Sequence, residues 1–220
     1  MDGKLIVHGI ILSSSQVGEA DRRLVILSGE YGRITAFAKG ARRQNSMLVG
    51  VRPFTYGEMV IYEGRTSNRL ESISIENGFD ALSKDLESSC YASYFTEFAD
   101  YYAHEALEAR EMVRLLYAAF NALSKNTIPR DLIKAAFELR IMAINGEYSE
   151  LPLGADYKRL ACADTVDYTW KYVIASPLEK LFGFTLKEEA LSAFCAEVTS
   201  LKNRFIDKKF KSLEILESMK

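Results

Sequence analysis

The sequence has few of the residues and motifs from which enzymatic sites are built. Its 220 residues include only two histidines, His8 and His104, and neither lies in a Ser-His-Asp or Cys-His arrangement. The phosphate-binding patterns GxGxxG and GxxxxGKS/T do not occur, and no GxSxG elbow surrounds the serines at positions 13–15. These absences argue against nucleotide hydrolysis and against nucleophilic catalysis.

Cysteines are few and widely spaced. The three that occur are Cys90, Cys162 and Cys195, an odd number without a CxxC pair. This excludes a fully paired disulfide framework and any CxxC redox or zinc motif, so we expect a reducing compartment. No charged and then apolar leader opens the chain, and no apolar run approaches the roughly 18 residues that span a bilayer. We therefore expect a cytoplasmic protein.

An excess of charge of one sign is also missing. The chain has 28 basic and 30 acidic residues, a formal net charge of −2, so any surface that binds nucleic acid must be local. Cations in the first 80 residues are nevertheless mostly arginine, whose planar guanidinium suits phosphate. Those arginines are Arg22, Arg23, Arg33, Arg42, Arg43, Arg52, Arg65 and Arg69.

The first third of the chain has the pattern of a small β-barrel. Short runs rich in β-branched residues alternate with turn residues, and the serines at 13–15 are expected to form a loop that ends the first strand. Five antiparallel strands in about 75 residues predict an OB-fold, a barrel that often binds single strands. The strands are predicted at 5–12, 23–27, 33–38, 59–62 and 70–75.

From about residue 80 the apolar period becomes helical. Aromatic residues between Tyr91 and Tyr102 recur every three or four positions and predict one buried helix face. Further helices are predicted at 109–123, 129–146, 165–175 and 186–202, with a helical tail at 205–220. The predicted class is α+β, with an OB-fold domain at 1–79 and a helical domain at 80–220. No flexible linker separates them, so we expect the halves to pack together.

A basic corner follows the third predicted strand. Ile34, Ala36 and Ala38 alternate with Thr35, Phe37 and Lys39. One face of this strand can therefore be buried in the core while the other faces a ligand. Gly40 allows a turn, and Arg42 and Arg43 follow it. Cations with a nearby aromatic residue are typical of surfaces that bind single-stranded nucleic acid. A solvated hairpin end is the alternative interpretation.

Arg140 is a charge within the most apolar predicted helix, between Leu139 and Ile141. A charge in such a position needs a partner, and we expect an internal ion pair with a carboxylate that is distant in sequence, with contact to a ligand as the alternative.

An ordered series of short segments resembles the N-terminal signature of the bacterial RecO family of recombination mediators. The segments are GIIL at 9–12, GEADR at 18–22, GRI at 32–34, AKGARR at 38–43 and PF at 53–54. FELR at 137–140, followed by Gly146, is similar to the family's central-helix motif. The series covers the full length in order, most strongly over 5–60 and weakly after 150.

The resemblance implies a protein without enzymatic turnover or cofactor that binds single- and double-stranded DNA and anneals complementary strands. It also implies action with RecR and the single-stranded DNA-binding protein, and RecA loading in gap repair by the RecF pathway, at the nucleoid. By position, the expected phosphate contacts are Arg33, Lys39, Arg42 and Arg43, followed by Arg22 and Arg23. Phe37, and less directly Tyr31, could stack on a base.

The chain departs from the family in one respect. Many members carry a four-cysteine zinc site after the central helix, whereas the region near 146–165 contains Cys162 alone. Because structural zinc needs four ligands, we predict that no zinc is bound.

Two other functions remain open at the level of sequence. The near-neutral charge is compatible with a scaffold that binds repair proteins and contacts DNA only weakly. An RNA-binding OB-fold is a third possibility, because no residue pattern identifies a reader of the 2′-hydroxyl.

Overall fold

A computed structural model of the protein describes residues 3–44, 46, 48, 50–149 and 160–218. Its N-terminal part contains five strands, and these agree in number and position with the five predicted runs. The strands are β1 (Lys4–Val17), β2 (Asp21–Ser28), β3 (Gly32–Ala38), β4 (Tyr56–Tyr62) and β5 (Asn68–Asn77).

The five strands close into a barrel in the order β1-β2-β3-β5-β4. All neighbouring strands are antiparallel except β3 and β5, which run parallel. Apolar side chains at alternate positions fill the interior; in β3 these are Ile34, Ala36 and Ala38, each no more than 6% exposed. The predicted OB-fold barrel is therefore confirmed, as is the division of β3 into a core face and an outer face.

The loop expected at the serines of positions 13–15 is wrong. β1 continues through them to Val17, and Ser14 and Ser15 pair with Leu24 and Arg23 of β2. A register shift between Ile11 and Ser13 absorbs the change in pattern. Serine has a low strand preference, but the ladder hydrogen bonds that β2 supplies outweigh it.

In the described part of the chain, seven α-helices follow the barrel, and they account for the helical periods of the sequence. Tyr91, Tyr94, Phe95 and Phe98 form the predicted buried face of α2. The helices are α1 (Asp80–Lys84), α2 (Leu86–Tyr102), α3 (Arg110–Lys125), α4 (Arg130–Ile144), α5 (Ala163–Ala175), α6 (Glu188–Phe205) and α7 (Lys211–Ser218).

The barrel and the helices share one hydrophobic core. The outer faces of β1 and β2 contribute Ile10, Leu12, Val25 and Leu27, all at most 5% exposed, to the cluster that contains the buried residues of the helices. The barrel interior forms a second cluster. Strands β1 and β2 are thus buried on both faces along part of their length, and the halves pack together as expected.

The segment that joins α2 to α3 also pairs with the turn between β2 and β3. The Arg33 amide donates to the His104 carbonyl at 2.9 Å, and the Ala106 amide donates to the Tyr31 carbonyl at 3.0 Å. Gly32 lies at this junction with a φ of 65°. A Cβ at that position would lie 2.2 Å from the carbonyl oxygens of His104 and Leu107, so only glycine allows this close approach.

Arg140 has backbone carbonyl groups as its partners within the described part of the chain. Its guanidinium donates to the carbonyl oxygens of Val173 and Ile174, at the C-terminal end of α5. Carbonyl groups at a helix C-terminus carry partial negative charge and can replace the carboxylate that we expected. Burial lowers the pKa of Arg140.

Candidate nucleic-acid interface

The basic corner is held in place by the turn between β1 and β2. The Gly40 amide donates to Asp21 Oδ1 at 2.7 Å, and the Arg42 amide donates to the Ala20 carbonyl at 3.0 Å. Gly40 has a φ of 67°, and Ala41 is buried at 5% exposure. The backbone therefore fixes the corner, whereas the side chains of Arg42 and Arg43 remain exposed.

Five of the predicted contact residues carry cations that no described carboxylate neutralises. Arg42 Nη1 donates to the Glu19 carbonyl at 2.9 Å, and Arg22 Nη1 donates to Ser14 Oγ at 3.1 Å. These neutral partners orient the guanidinium groups without cancelling their charge. The five residues are Arg22, Arg23, Lys39, Arg42 and Arg43.

Arg33 is the exception among the predicted contacts. Its Nε lies 2.7 Å from Asp100 Oδ1 on α2, and its Nη1 lies 3.8 Å from Glu105 Oε1. Its side chain is 24% exposed. Arg33 thus joins the barrel to the helices, and a phosphate would have to compete with two carboxylates for its guanidinium.

The register of the barrel assembles a row that the linear sequence does not reveal. Phe37 pairs with Arg23 of β2 on one side and with Arg69 of β5 on the other. Arg69 pairs with Tyr62 of β4, which pairs with Lys4 of β1. Since paired residues point to the same side of a sheet, five side chains lie in order across the outer face. We call Lys4, Tyr62, Arg69, Phe37 and Arg23 the cation–aromatic row.

Contacts within the row differ from one end to the other. The Arg69 guanidinium lies 5.8 Å from the centroid of the Tyr62 ring, and its Nη2 lies 2.6 Å from Glu71 Oε2. Arg23 and Lys4 are exposed and form no ion pair with another described residue. The free positive charge is therefore greatest at the two ends of the row.

Sequence reasoning found Phe37 and Arg23 but missed Lys4, Tyr62 and Arg69 as members of the site. In β4 and β5, buried and exposed positions alternate, so Tyr62 and Arg69 lie on the outer face while their neighbours Ile61 and Leu70 point into the barrel. That signal is present in the sequence, but only the strand order makes these residues neighbours of Phe37.

A groove of about 460 Å³ lies beside the row, between β3 and the loop that joins β4 to β5. Tyr31, Phe37 and Arg65 are among its lining residues. Tyr31 is 41% exposed. OB-folds bind oligonucleotides on the face of strands 2 and 3 and on the loops that join strands 1–2 and 4–5. Arg23 and Phe37 of the row lie on strands 2 and 3, and the groove is lined by the β4–β5 loop. The basic corner lies in the β3–β4 loop, where it is hydrogen-bonded to the β1–β2 turn.

The chemistry of this surface suits a phosphodiester chain with exposed bases. Guanidinium and ammonium groups can contact phosphate, and the rings of Phe37 and Tyr62 are partly exposed for stacking. His8 lies on another part of the barrel, 3.8 Å from carboxylate oxygens of both Glu58 and Glu76. It is therefore a surface histidine between two carboxylates.

Half of the region near 146–165, for which we predicted no zinc, lies outside the described residues, since 150–159 are among those not described. Within the described ranges, no helix combines the length and the apolar character needed to cross a membrane.

Comparison with known proteins identifies relatives over most of the chain. DNA repair protein RecO of Alkaliphilus metalliredigens is 30% identical over 166 residues, which are 75% of this chain and 65% of that protein. DNA repair protein RecO of Heliobacterium modesticaldum is 33% identical over 150 residues, 68% of this chain and 54% of that protein. DNA repair protein RecO of Clostridium kluyveri is 24% identical over 238 residues, 96% of this chain and 93% of that protein.

Two family models match consecutive parts of the sequence. Recombination protein O N terminal covers residues 1–79, which include the barrel, and Recombination protein O C terminal covers residues 83–152, which include α2, α3 and α4. With the closed five-stranded barrel, the helices that follow it and the relatives above, these matches show that the chain belongs to the RecO family.

Proposed function

We propose that this protein acts in DNA repair as a non-catalytic DNA-binding protein that anneals complementary strands. One observation carries the proposal: the barrel register brings Arg23, Phe37 and Arg69 together next to the basic corner. The relatives are named DNA repair proteins, which supports the same role. Single- and double-stranded DNA are the proposed ligands.

Neutralisation of phosphate charge explains how such a surface would promote annealing. Two strands repel each other through their backbones, and bound cations lower that repulsion and release counterions. Phe37 can stack on a base while the arginines on either side contact phosphates. Phosphate contacts carry no base information, so we expect little sequence preference.

The proposed contacts fall into two groups. Lys39, Arg42 and Arg43 at the corner, with Arg22 and Arg23 beside them, are available without rearrangement. Arg33 would contact phosphate only if its ion pair with Asp100 opened, so we place it second. This order follows from the 2.7 Å distance between Arg33 Nε and Asp100 Oδ1.

The proposed partners are RecR and the single-stranded DNA-binding protein, and the proposed outcome is RecA loading in the RecF pathway. We place this activity in the cytoplasm, at the nucleoid. Such partners follow from membership of the family, and no contact surface for them is assigned.

A protein-interaction scaffold is the second candidate function. The ion pairs of Arg33 favour it, because they show that one predicted DNA contact is used to join the two halves of the molecule. The two functions differ in whether the isolated protein binds DNA.

The test is a binding measurement by fluorescence anisotropy with a labelled single strand of about 8 nucleotides, within the site size of one OB-fold. Five phosphate contacts, one for each available cation, predict a slope of about −3.5 in a plot of log affinity against log salt. The Arg42→Ala/Arg43→Ala variant should lose two contacts and reduce the steepness by about 1.4.

Arg110→Ala/Arg114→Ala is the matched control, because both side chains are 59% exposed on α3, away from the corner. It removes the same charge and should bind as the parent does. A corner variant that folds normally and binds with the parent's affinity and slope would exclude the corner as the DNA site. Absence of binding by the parent would favour the scaffold.

A further inference from the structure

A second group of free cations lies in the C-terminal part of the chain. Between the end of α6 and the start of α7, the sequence carries Arg204, Lys208, Lys209 and Lys211 against one acidic residue, Asp207. All four cationic side chains are exposed, and none forms an ion pair with another described residue. We call residues 204–211 the basic C-terminal segment.

Lys202, in the same last turn of α6 as Arg204, differs from these free cations. It is buried and its Nζ lies 3.1 Å from the Glu138 carboxylate. A structural cation in this region is therefore paired, whereas those of the basic C-terminal segment are left for solvent or for a ligand.

The segment is anchored by packing. Ile206 and Phe210 are buried at 7% and 3% exposure. The Phe210 ring centroid lies 5.0 Å from that of Phe98 on α2. Lys208 Nζ lies 5.7 Å from the Tyr101 centroid. Since these contacts fix the backbone, its cations are presented from a defined position. Phe205 next to it is 42% exposed and offers a ring for stacking.

A groove lined by hydroxyl groups connects this segment to the barrel. It has a volume of about 480 Å³, and seven of its lining residues are serine or threonine, including Ser13 and Ser14 of β1 and Ser212 of α7. Ser14 accepts a hydrogen bond from Arg22, and Ser212 follows Lys211 directly. The groove therefore lies between Ser14, which contacts Arg22 on the barrel, and Ser212, which adjoins the basic C-terminal segment.

The carboxylate in this groove is already engaged. Glu97 accepts hydrogen bonds from the amide of Ser212 at 3.4 Å and from its hydroxyl at 2.8 Å. Arg52, which also lines the groove, pairs with Asp80. The Thr96 hydroxyl already donates to the Ser93 carbonyl. The serine hydroxyl groups other than that of Ser212 can donate to phosphate oxygens, as serine does in protein–DNA complexes.

We propose that the basic C-terminal segment is a second site for the DNA phosphate backbone, reached from the barrel across the hydroxyl-lined groove. This inference rests on the proposed function and extends it. An acidic peptide would also be attracted by four cations. Nucleic acid is favoured because an exposed aromatic ring, phosphate-compatible hydroxyl groups and continuity with the barrel surface occur together.

The test uses the full chain with three substitutions, Lys208→Glu/Lys209→Glu/Lys211→Glu. The control is Lys125→Glu/Lys171→Glu/Lys187→Glu, which makes the same change in net charge at exposed positions in or next to helices, away from the segment. A Lys209→Gln/Lys211→Gln variant leaves Lys208 on its aromatic partners and covers the case in which the triple variant does not fold.

Binding is measured with single strands of about 8 and about 30 nucleotides, chosen within and above the site size of one OB-fold. For the long strand, the triple variant should reduce the steepness of the salt dependence by about 2, and the double variant by about 1.4. The short strand should bind to the variants as to the parent. The annealing rate should fall in the triple variant more than in its control.

Long-strand slopes equal to those of the control would overturn the inference while leaving the barrel site intact. The same conclusion would follow if the variants kept their DNA binding but lost binding to poly-glutamate, since the segment would then serve an acidic protein. If the parent binds neither strand, the proposed function and this inference both fail. Loss of short-strand binding only in the corner variant separates the two sites.

Discussion

At the residue scale, the junction between Gly32 and Arg33 determines how β3 can be used. The amide of Arg33 pairs with the His104 carbonyl, and its side chain pairs with Asp100. Gly32 makes this possible, because a Cβ there would meet two carbonyl oxygens of the 103–109 segment. The N-terminal end of β3 thus has a structural role, and the residues proposed to face DNA lie at its C-terminal end.

Gly32→Ala should lower the free energy of unfolding by about 3 kcal/mol or more, since it combines left-handed strain with a backbone clash. Gly18→Ala is the control: Gly18 has a φ of 56°, but nothing lies within 4 Å of a Cβ there. It should cost only about 1 to 2 kcal/mol. Urea unfolding of both variants measures the difference. Equal losses would show that the contact with the 103–109 segment does not stabilise the junction.

At the element scale, a buried charged cluster joins three helices. Glu138 on α4 is fully buried, and its carboxylate lies 3.0 Å from Lys134 Nζ and 3.1 Å from Lys202 Nζ on α6. The Tyr94 hydroxyl on α2 donates to the same carboxylate. Burial alone would raise the pKa of Glu138, but the two ammonium groups and this hydrogen bond hold it below its ordinary value of 4.5. The family motif at 137–140 therefore contains a structural ion cluster.

Glu138→Gln should lower the free energy of unfolding at neutral pH by about 3 to 5 kcal/mol, because two lysines lose their buried partner. The contribution of a carboxylate with a lowered pKa is present above about 4.5 and is lost as the pH falls through the folded-state pKa. The difference in the free energy of unfolding between parent and variant should therefore become smaller at acidic pH. Denaturant titrations at several pH values measure it.

Glu189→Gln, at an exposed position in the first turn of α6, is the control and should change stability by less than about 0.5 kcal/mol at any pH. A gap between parent and Glu138→Gln that stays constant down to strongly acidic pH would contradict the charged state of Glu138.

At the scale of the whole molecule, the shared core makes the barrel and the helices one cooperative structure. Leu27 of β2 and Phe54 belong to the same buried cluster as the helical core. Phe54 packs against Phe120 of α3 at 5.4 Å between ring centroids. A DNA strand that contacts both parts would therefore meet surfaces in a fixed relation to each other.

Leu24→Ala, in the barrel interior, should destabilise the helices as well as the barrel. Leu24 is fully buried, so the expected loss is about 2 to 5 kcal/mol. The single tryptophan, Trp170, lies buried in α5 and reports on the helices through its fluorescence. The unfolding midpoint measured by Trp170 fluorescence should shift by the same amount as the midpoint measured by far-ultraviolet circular dichroism.

Leu86→Ala is the control, since Leu86 is 69% exposed at the start of α2 and should change neither midpoint noticeably. If Leu24→Ala left the Trp170 midpoint unchanged and produced a separate transition, the two halves would be independent.

The sequence determined the strand and helix set because periods of two and 3.6 residues reflect local burial, which neighbours along the chain encode. It also placed the basic corner, because Gly40 allows the turn, although Asp21 and Ala20 of the β1–β2 turn hold the corner in position. It failed at the serines of positions 13–15, where pairing with β2 overrides local preference, and it could not assign backbone carbonyl groups to Arg140.

Tertiary structure alone decided which cations are free. Arg33 and Arg43 look alike in the sequence, yet one is paired with Asp100 across the two halves and the other is exposed. Strand order likewise made neighbours of Lys4, Tyr62 and Arg69, which are far apart in the chain. Local patterns fix the elements, but the charge available to a ligand depends on contacts between residues distant in sequence, and these exist only in the folded molecule.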